Sequence, residues 1–224
     1  MCRQYSISAK LEEIRSSFHV DEIVSSYRPS YNVIPTKSVP VVRMEQGRRV
    51  LDSFRWGMMP FWAPDAVNAD YESVSENQAY YKIVERQRCI IPCSGLYYWR
   101  VMKKRNYPVH MVLRTNQVFG IAGLYEKWKS AQQQIYYSCT MVMTRANRMI
   151  AEFDSRMPAI LDQEEADLWL EPETLETAYM LRLLKPAHED RMRSYPVSPM
   201  IAEEHIDEAA CIEEWNQRQV WVKA

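Results

Sequence analysis

With 224 residues, 47% of them hydrophobic, the chain can bury one core of ordinary size, and a single domain spanning residues 1–224 is expected. No run approaches the roughly eighteen apolar residues of a membrane span, and Arg3, Lys10, Glu12 and Glu13 interrupt the N-terminus where a signal peptide would be apolar; a cytoplasmic protein is expected. The net charge of −1 hides a division: residues 1–160 hold 22 Lys and Arg against 14 Asp and Glu, residues 161–224 hold 6 against 15, and only the first part suits a polyanionic partner. The five cysteines, an odd number, are expected as reduced thiols. The four histidines make no zinc-ligand pattern with Cys89 and Cys93, so neither metal nor cofactor is expected.

In chain order, residues 8–18 read as a helix with Ser8 as N-cap and Leu11, Ile14 and Phe18 on one face. A strand is expected at 39–44, after the turn-forming Ile34-Pro35-Thr36. Residues 54–63 hold two tryptophans around a glycine and a proline, which suits a bulged strand or packed loop. Residues 75–88 place Tyr80, Ile83 and Val84 on one helical face, and a β region opens at 89–92. Strands are expected at 95–101, 109–114, 118–124 and 136–143, where β-branched and aromatic residues dominate between polar or glycine breaks. Asp162 followed by Glu165 forms a capping-box start for a helix to Leu170. A further helix is expected at 174–184, and short strands at 193–197 and 220–222. Strands in the middle and helices at the flanks predict an α+β fold on a mostly antiparallel sheet or a barrel-like core.

Six segments occur in an order that resembles the SOS-response-associated peptidase family of abasic-site processing proteins. They are Met1-Cys2; Tyr31-Asn32-Val33-Ile34-Pro35-Thr36 with Val39-Pro40-Val41-Val42-Arg43; Phe54-Arg55-Trp56-Gly57-Met58-Met59-Pro60-Phe61-Trp62-Ala63; Asn68-Ala69 with Glu72; Arg88-Cys89-Ile90-Ile91-Pro92 with Gly95, Tyr97 and Trp99; and Arg156-Met157-Pro158-Ala159-Ile160-Leu161. The resemblance implies that Met1 is removed, that Cys2 captures the aldehyde of an abasic site as a thiazolidine, and that an asparagine, a glutamate and a histidine assist. Asn68 matches the asparagine. Tyr98 stands where the family has its glutamate and Asp154 where it has its histidine, while Gln4, Asp70 and Tyr81 occupy arginine positions.

An N-terminal cysteine carries an amine and a thiol on adjacent carbons, so the amine can form a Schiff base and the thiol can close a five-membered ring. A nearby cation would raise the thiolate fraction. Asn68 can donate and accept at once, and so can hold the ring-opened sugar or the Cys2 backbone; an asparagine is also an ordinary turn residue. At position 154 a carboxylate is a base or an orienting group first, where a histidine could donate a proton. Tyr98 can donate a hydrogen bond but cannot replace a carboxylate base. Glu72 is the acid retained beside Asn68, and pairing with an arginine is its other role. Trp56, Trp62, Tyr97 and Trp99 are candidates for stacking bases, Trp62 first, and Arg43, Arg55 and Arg156 for contacting phosphates. The expected partner is single-stranded DNA containing abasic sites, bound by a monomer with no membrane involved. The competing readings are a peptidase acting on its own N-terminus and a single-strand binder that has lost its chemistry.

Overall fold

The computed structural model describes residues 2–58, 67–102, 105–130, 132–171 and 176–215. In chain order the elements are β1 (Tyr5–Ile7), α1 (Leu11–Ser17), β2 (Glu22–Ile23), β3 (Ser30–Val33), β4 (Ser38–Glu45), β5 (Arg48–Trp56), β6 (Asn68–Asp70), α2 (Tyr71–Glu76), α3 (Gln78–Arg86), β7 (Arg88–Cys93), β8 (Gly95–Met102) and β9 (Arg105–Leu113). Then come β10 (Phe119–Lys129), β11 (Ile135–Arg145), β12 (Arg156–Pro158), β13 (Ile160–Leu161), α4 (Gln163–Leu170), α5 (Thr177–Arg182) and β14 (Met192–Pro196).

The expected α+β, barrel-like architecture is present. Strands β11, β10, β7, β4 and β5 pair antiparallel in that order, and β5 returns to β11 through Arg55 opposite Ser138 and Trp56 opposite Cys139. A ring of five strands cannot alternate direction throughout, so one seam must be parallel, and the β5–β11 contact is that seam. Trp56, Phe54, Leu51, Ile90, Ile91 and Met141, from both faces of these strands, are buried. A second, antiparallel sheet runs β14-β9-β8-β1-β3. The chain passes from β7 in the ring to β8 in this sheet through Ser94, whose N–H donates to the Ser6 carbonyl at 2.8 Å. A Cβ on the next residue, Gly95, would lie 2.2 Å from His110 Nε2, so only glycine fits this corner.

Several expected elements shift for local reasons. Helix α1 starts at Leu11, not near Ser8: the N–H groups of Ser8 and Ala9 donate to Ser94 Oγ, which holds the chain extended, and the N-cap is Lys10. The helix expected at 75–88 is two helices, because Asn77 turns extended and accepts from Ala79 N, capping α3 anew. Tyr80, Ile83 and Val84 form the buried face of α3 as expected. The capping box of α4 has both halves: Asp162 accepts from Glu165 N, and Glu165 accepts from Asp162 N. The hairpin strands β10 and β11 run beyond their expected ends into Glu126-Lys127-Trp128-Lys129. Met59 to Ala66, including Trp62, and the strand expected at 220–222 lie outside the described residues. Among the described residues, no helix is long and apolar enough to cross a membrane. All five cysteines are free and buried.

Candidate active site

The N-terminal segment lies along β8, with Tyr97 N–H donating to the Gln4 carbonyl at 3.1 Å, and this extension of the second sheet carries Cys2 into the interior. Cys2 is 1% exposed. Its carbonyl accepts from Asn68 Nδ2 at 2.6 Å, and its Sγ lies 3.6 Å from the Gln4 carbonyl. Asn68 reaches this position because β6 pairs with β11, placing Asn68 opposite Met141.

Tyr98 projects from β8 and is 4% exposed. Burial first, then the neighbouring Cys2 and Asp154, push its phenol well above the ordinary tyrosine range, so it remains a donor. Asp154 follows the 3-10 turn Ile150–Glu152, and its Oδ1 accepts from Arg156 N at 3.1 Å. Its charge acts on Cys2: burial foremost, with Asp154 a lesser contribution, pushes the Cys2 thiol up to about 11, against the backbone hydrogen bond at Gln4 and the positive charge of the chain's amino terminus. The structure therefore gathers Cys2, Asn68, Tyr98 and Asp154. Of the charges acting on the thiol, the chain's terminal ammonium lowers it and the Asp154 carboxylate raises it. Asn68 Oδ1 and the Tyr98 hydroxyl are buried with no partner among the described residues. Two polar atoms left open beside Cys2 offer one acceptor and one donor to a bound molecule.

Glu72 does not join this group. Its Oε2 accepts from Arg156 Nη1 at 2.5 Å, and that bond holds its carboxyl below the usual range. Arg156 also lies 3.4 Å from Asp70 Oδ1, so the guanidinium expected at a phosphate is engaged by two carboxylates. Arg43 is redirected more completely. It is 5% exposed, ion-paired to Glu45 at 2.8 Å and to Asp52 at 3.4 Å, and stacked over Tyr137 and Phe54, which removes it from any groove. Arg55, half-buried, donates from Nη1 to the Gly57 carbonyl. Trp56 is a core residue whose Nε1 donates to the Val67 carbonyl, and Tyr97 is buried with its hydroxyl on the Tyr31 carbonyl; neither can stack a base. Trp99 is half-buried.

Sequence reasoning missed the supports behind Cys2. Gln4 Nε2 donates at 2.6 Å both to Asn32 Oδ1 and to the Ile201 carbonyl, while Asn32 Nδ2 donates to the carbonyls of Glu203 and Ile206. These bonds fasten β1 and β3 to the C-terminal segment, two residues from the cysteine. Ser6 Oγ meets His110 Nε2 at 2.9 Å, and His110 Nδ1 meets the Tyr195 hydroxyl at 2.8 Å. Both Ser6 and His110 are fully enclosed, and burial drives the imidazole down to about 3, so this pair is a neutral structural relay. Its residues are scattered through the sequence, which carries no spacing signal for it. Among the described residues, no cluster of three or more His, Cys, Asp or Glu side chains is placed to hold a metal.

The model of the family described as SOS response associated peptidase matches residues 1–204. The chain is 32% identical over 210 residues to the abasic site processing protein YoqW of Bacillus subtilis, covering 90% of this chain and 94% of that one. It is 24% identical over 231 residues to the abasic site processing protein HMCES of Rattus norvegicus, covering 83% and 65%. A crystal structure of a Bacteroides thetaiotaomicron protein superposes with a TM-score of 0.86 at 23% identity, over 96% of this chain and all of that one. One from Bordetella bronchiseptica gives 0.76 at 22%, over 88% of this chain. These two establish likeness of fold. From the match across nearly its whole length, the chain belongs to the SOS response associated peptidase family.

Proposed function

We propose that the protein processes abasic sites in single-stranded DNA by covalent capture through Cys2, exposed as the N-terminal residue once Met1 is removed. The α-amine of Cys2 adds to the C1′ aldehyde of the ring-opened sugar and water leaves, giving a Schiff base. The thiol then adds across the C=N bond, its sulfur bonding to carbon and its proton passing to nitrogen, and a thiazolidine results. The step balances without a further reactant.

The observation that carries this reading is the environment of Cys2: its carbonyl is held by Asn68 at 2.6 Å, and the open Tyr98 hydroxyl and Asn68 Oδ1 accompany it in a buried setting. The printed names of the relatives, abasic site processing proteins, point the same way. Asn68 fixes the main chain of the nucleophile. Tyr98 donates to a sugar oxygen, and Asp154 receives the proton that the amine loses as it attacks and returns it to the oxygen that departs as water. Because burial keeps the Cys2 thiol protonated, the sulfur follows the amine in the sequence of steps.

Denaturing electrophoresis of the protein with an abasic single-stranded oligonucleotide tests this reading. A heat-stable band is expected from the wild type, from Cys93→Ala and from Cys139→Ala, and none from Cys2→Ala. A band undiminished in Cys2→Ala contradicts the assignment. DNA retention in a native gel without any covalent band would favour a binder that has lost its chemistry.

A further inference from the structure

Two arginines expected at phosphates are each held by two carboxylates: Arg43 by Glu45 and Asp52, Arg156 by Asp70 and Glu72. The β8–β9 hairpin differs. From Gly95 to Leu113 the sequence holds Arg100, Lys103, Lys104 and Arg105 and no aspartate or glutamate. Register and strand alternation fix the side on which the two arginines stand. Tyr98 pairs with Val109 and Arg100 with Tyr107, so these four share one face with Arg105, two residues beyond Tyr107. That face carries Tyr98 beside Cys2. It is buried at Tyr98 and Val109, half-buried at Tyr107 and exposed at Arg100 and Arg105, so it leads from the site out to solvent. The opposite face carries Tyr97 and Trp99, which pack with Val197, Ile201 and Cys211 of the C-terminal segment.

Arg100 is also aligned with the site. Its guanidinium carbon lies 5.1 Å from the centre of the Phe153 ring, and that ring lies 6.0 Å from the ring of Tyr98. A single carboxylate opposes it: Nη2 donates to Glu152 Oε2 at 2.9 Å, the two side chains being 49% and 65% exposed. An ion pair so open to water is weak, and a phosphate can take the place of the glutamate.

We propose that Arg100, with Arg105 beyond it, binds the backbone phosphates that flank the abasic sugar captured by Cys2. The inference rests on the reading of the protein as one that captures abasic single-stranded DNA. Both ester oxygens of an abasic sugar carry a phosphate, so a group that meets the sugar has a phosphate close by. Tyr98 is that group, and Arg100 stands two residues along the strand on the same face, about 7 Å away. A guanidinium presents paired N–H donors that match phosphate oxygens, and stacking on Phe153 orders it beforehand. Arg105 continues the line for the next phosphate.

The test is fluorescence anisotropy with an undamaged oligothymidine of about ten nucleotides, in about 50 to 200 mM salt. Arg100→Ala weakens binding about tenfold and lowers the slope of log affinity against log salt by about 0.7, the share of one phosphate on a single strand. Arg105→Ala acts alike, and Arg100→Lys keeps the slope. Glu152→Gln, which releases Arg100, tightens binding by about twofold to fivefold, and the gain disappears when Arg100→Ala is added. Arg48→Ala, which removes an exposed cation at the far end of β5, changes little. Unchanged affinity and slope in Arg100→Ala, an equal loss in Arg48→Ala, or a gain from Glu152→Gln that survives without Arg100 overturns the proposal. In those cases a heat-stable adduct of the wild type with an abasic oligonucleotide, absent from Cys2→Ala, leaves the Cys2 chemistry standing. A wild type that forms the adduct without binding oligothymidine overturns the proposal too, since undamaged DNA carries the same phosphates. One that neither binds nor forms the adduct overturns it together with the reading on which it rests.

Discussion

A buried hydroxyl without a partner costs a folded protein about 1–3 kcal/mol, and Tyr98 carries one beside Cys2. Removing it should therefore help the free protein and harm the function. Tyr98→Phe is expected to raise the unfolding free energy by about 1 kcal/mol in urea titrations, while slowing adduct formation with abasic DNA. A variant that is more stable and equally fast would mean that the hydroxyl serves no substrate. Asp154 gives a second prediction at this scale, because its charge adds to the burial that pushes the Cys2 thiol up to about 11. Asp154→His removes that anion and supplies a proton donor, so single-turnover adduct formation below pH 7 should rise severalfold to about a hundredfold. A rate unchanged or lower from pH 5.5 to 7 would separate position 154 from the chemistry. Cys2, Asn68, Tyr98 and Asp154 could be named from the sequence because each sits in a short string of fixed order. The sign of the electrostatics could not, since it depends on how deeply the second sheet buries Cys2. Nor could the pairing of Arg43 with Asp52 or of Arg156 with Asp70, acids that come from other strands; the Glu72–Arg156 pair is the second of the two roles that the sequence offers for Glu72.

At the scale of elements, what the sequence made legible was local. The capping box of α4 is written in four consecutive residues, and the buried face of α3 in a spacing of three and four. Asp162→Ala should cost about 1 kcal/mol in chemical denaturation, with Asp162→Asn recovering most of it. An unaffected midpoint would show that the box adds nothing to stability. The parallel seam between β5 and β11 joins residues more than eighty positions apart, and no periodicity announces it. The hairpin β10–β11 was underread for a different reason: its outer end alternates charged with aromatic residues, which resembles a turn when no partner strand is in view. The same alternation, once paired, is what leaves Trp128 and Tyr136 uncovered.

At the scale of the molecule, the two sheets and the C-terminal segment meet at buried amides and at His110. Its imidazole is held down from 6.5 to about 3 by burial, with Arg193 adding. The unfolded chain therefore binds a proton that the folded one refuses, and stability falls as pH drops through 6.5 toward 3, by up to about 1.4 kcal/mol per unit. His110→Gln should flatten that dependence relative to wild type in urea titrations between pH 6.5 and 4; parallel curves would contradict the assignment. The positive excess of residues 1–160 sits on the same chain as the acidic remainder, so a surface suited to a polyanion is set by folding rather than by net charge. The central claim is the bond made by Cys2, and intact mass spectrometry of the adduct tests it most directly. The account predicts a species equal to the chain lacking Met1 plus the abasic oligonucleotide less one water, formed without borohydride, with fragmentation placing the DNA on Cys2. An adduct that appears only after borohydride reduction, that maps to a lysine, or that retains Met1 would contradict it.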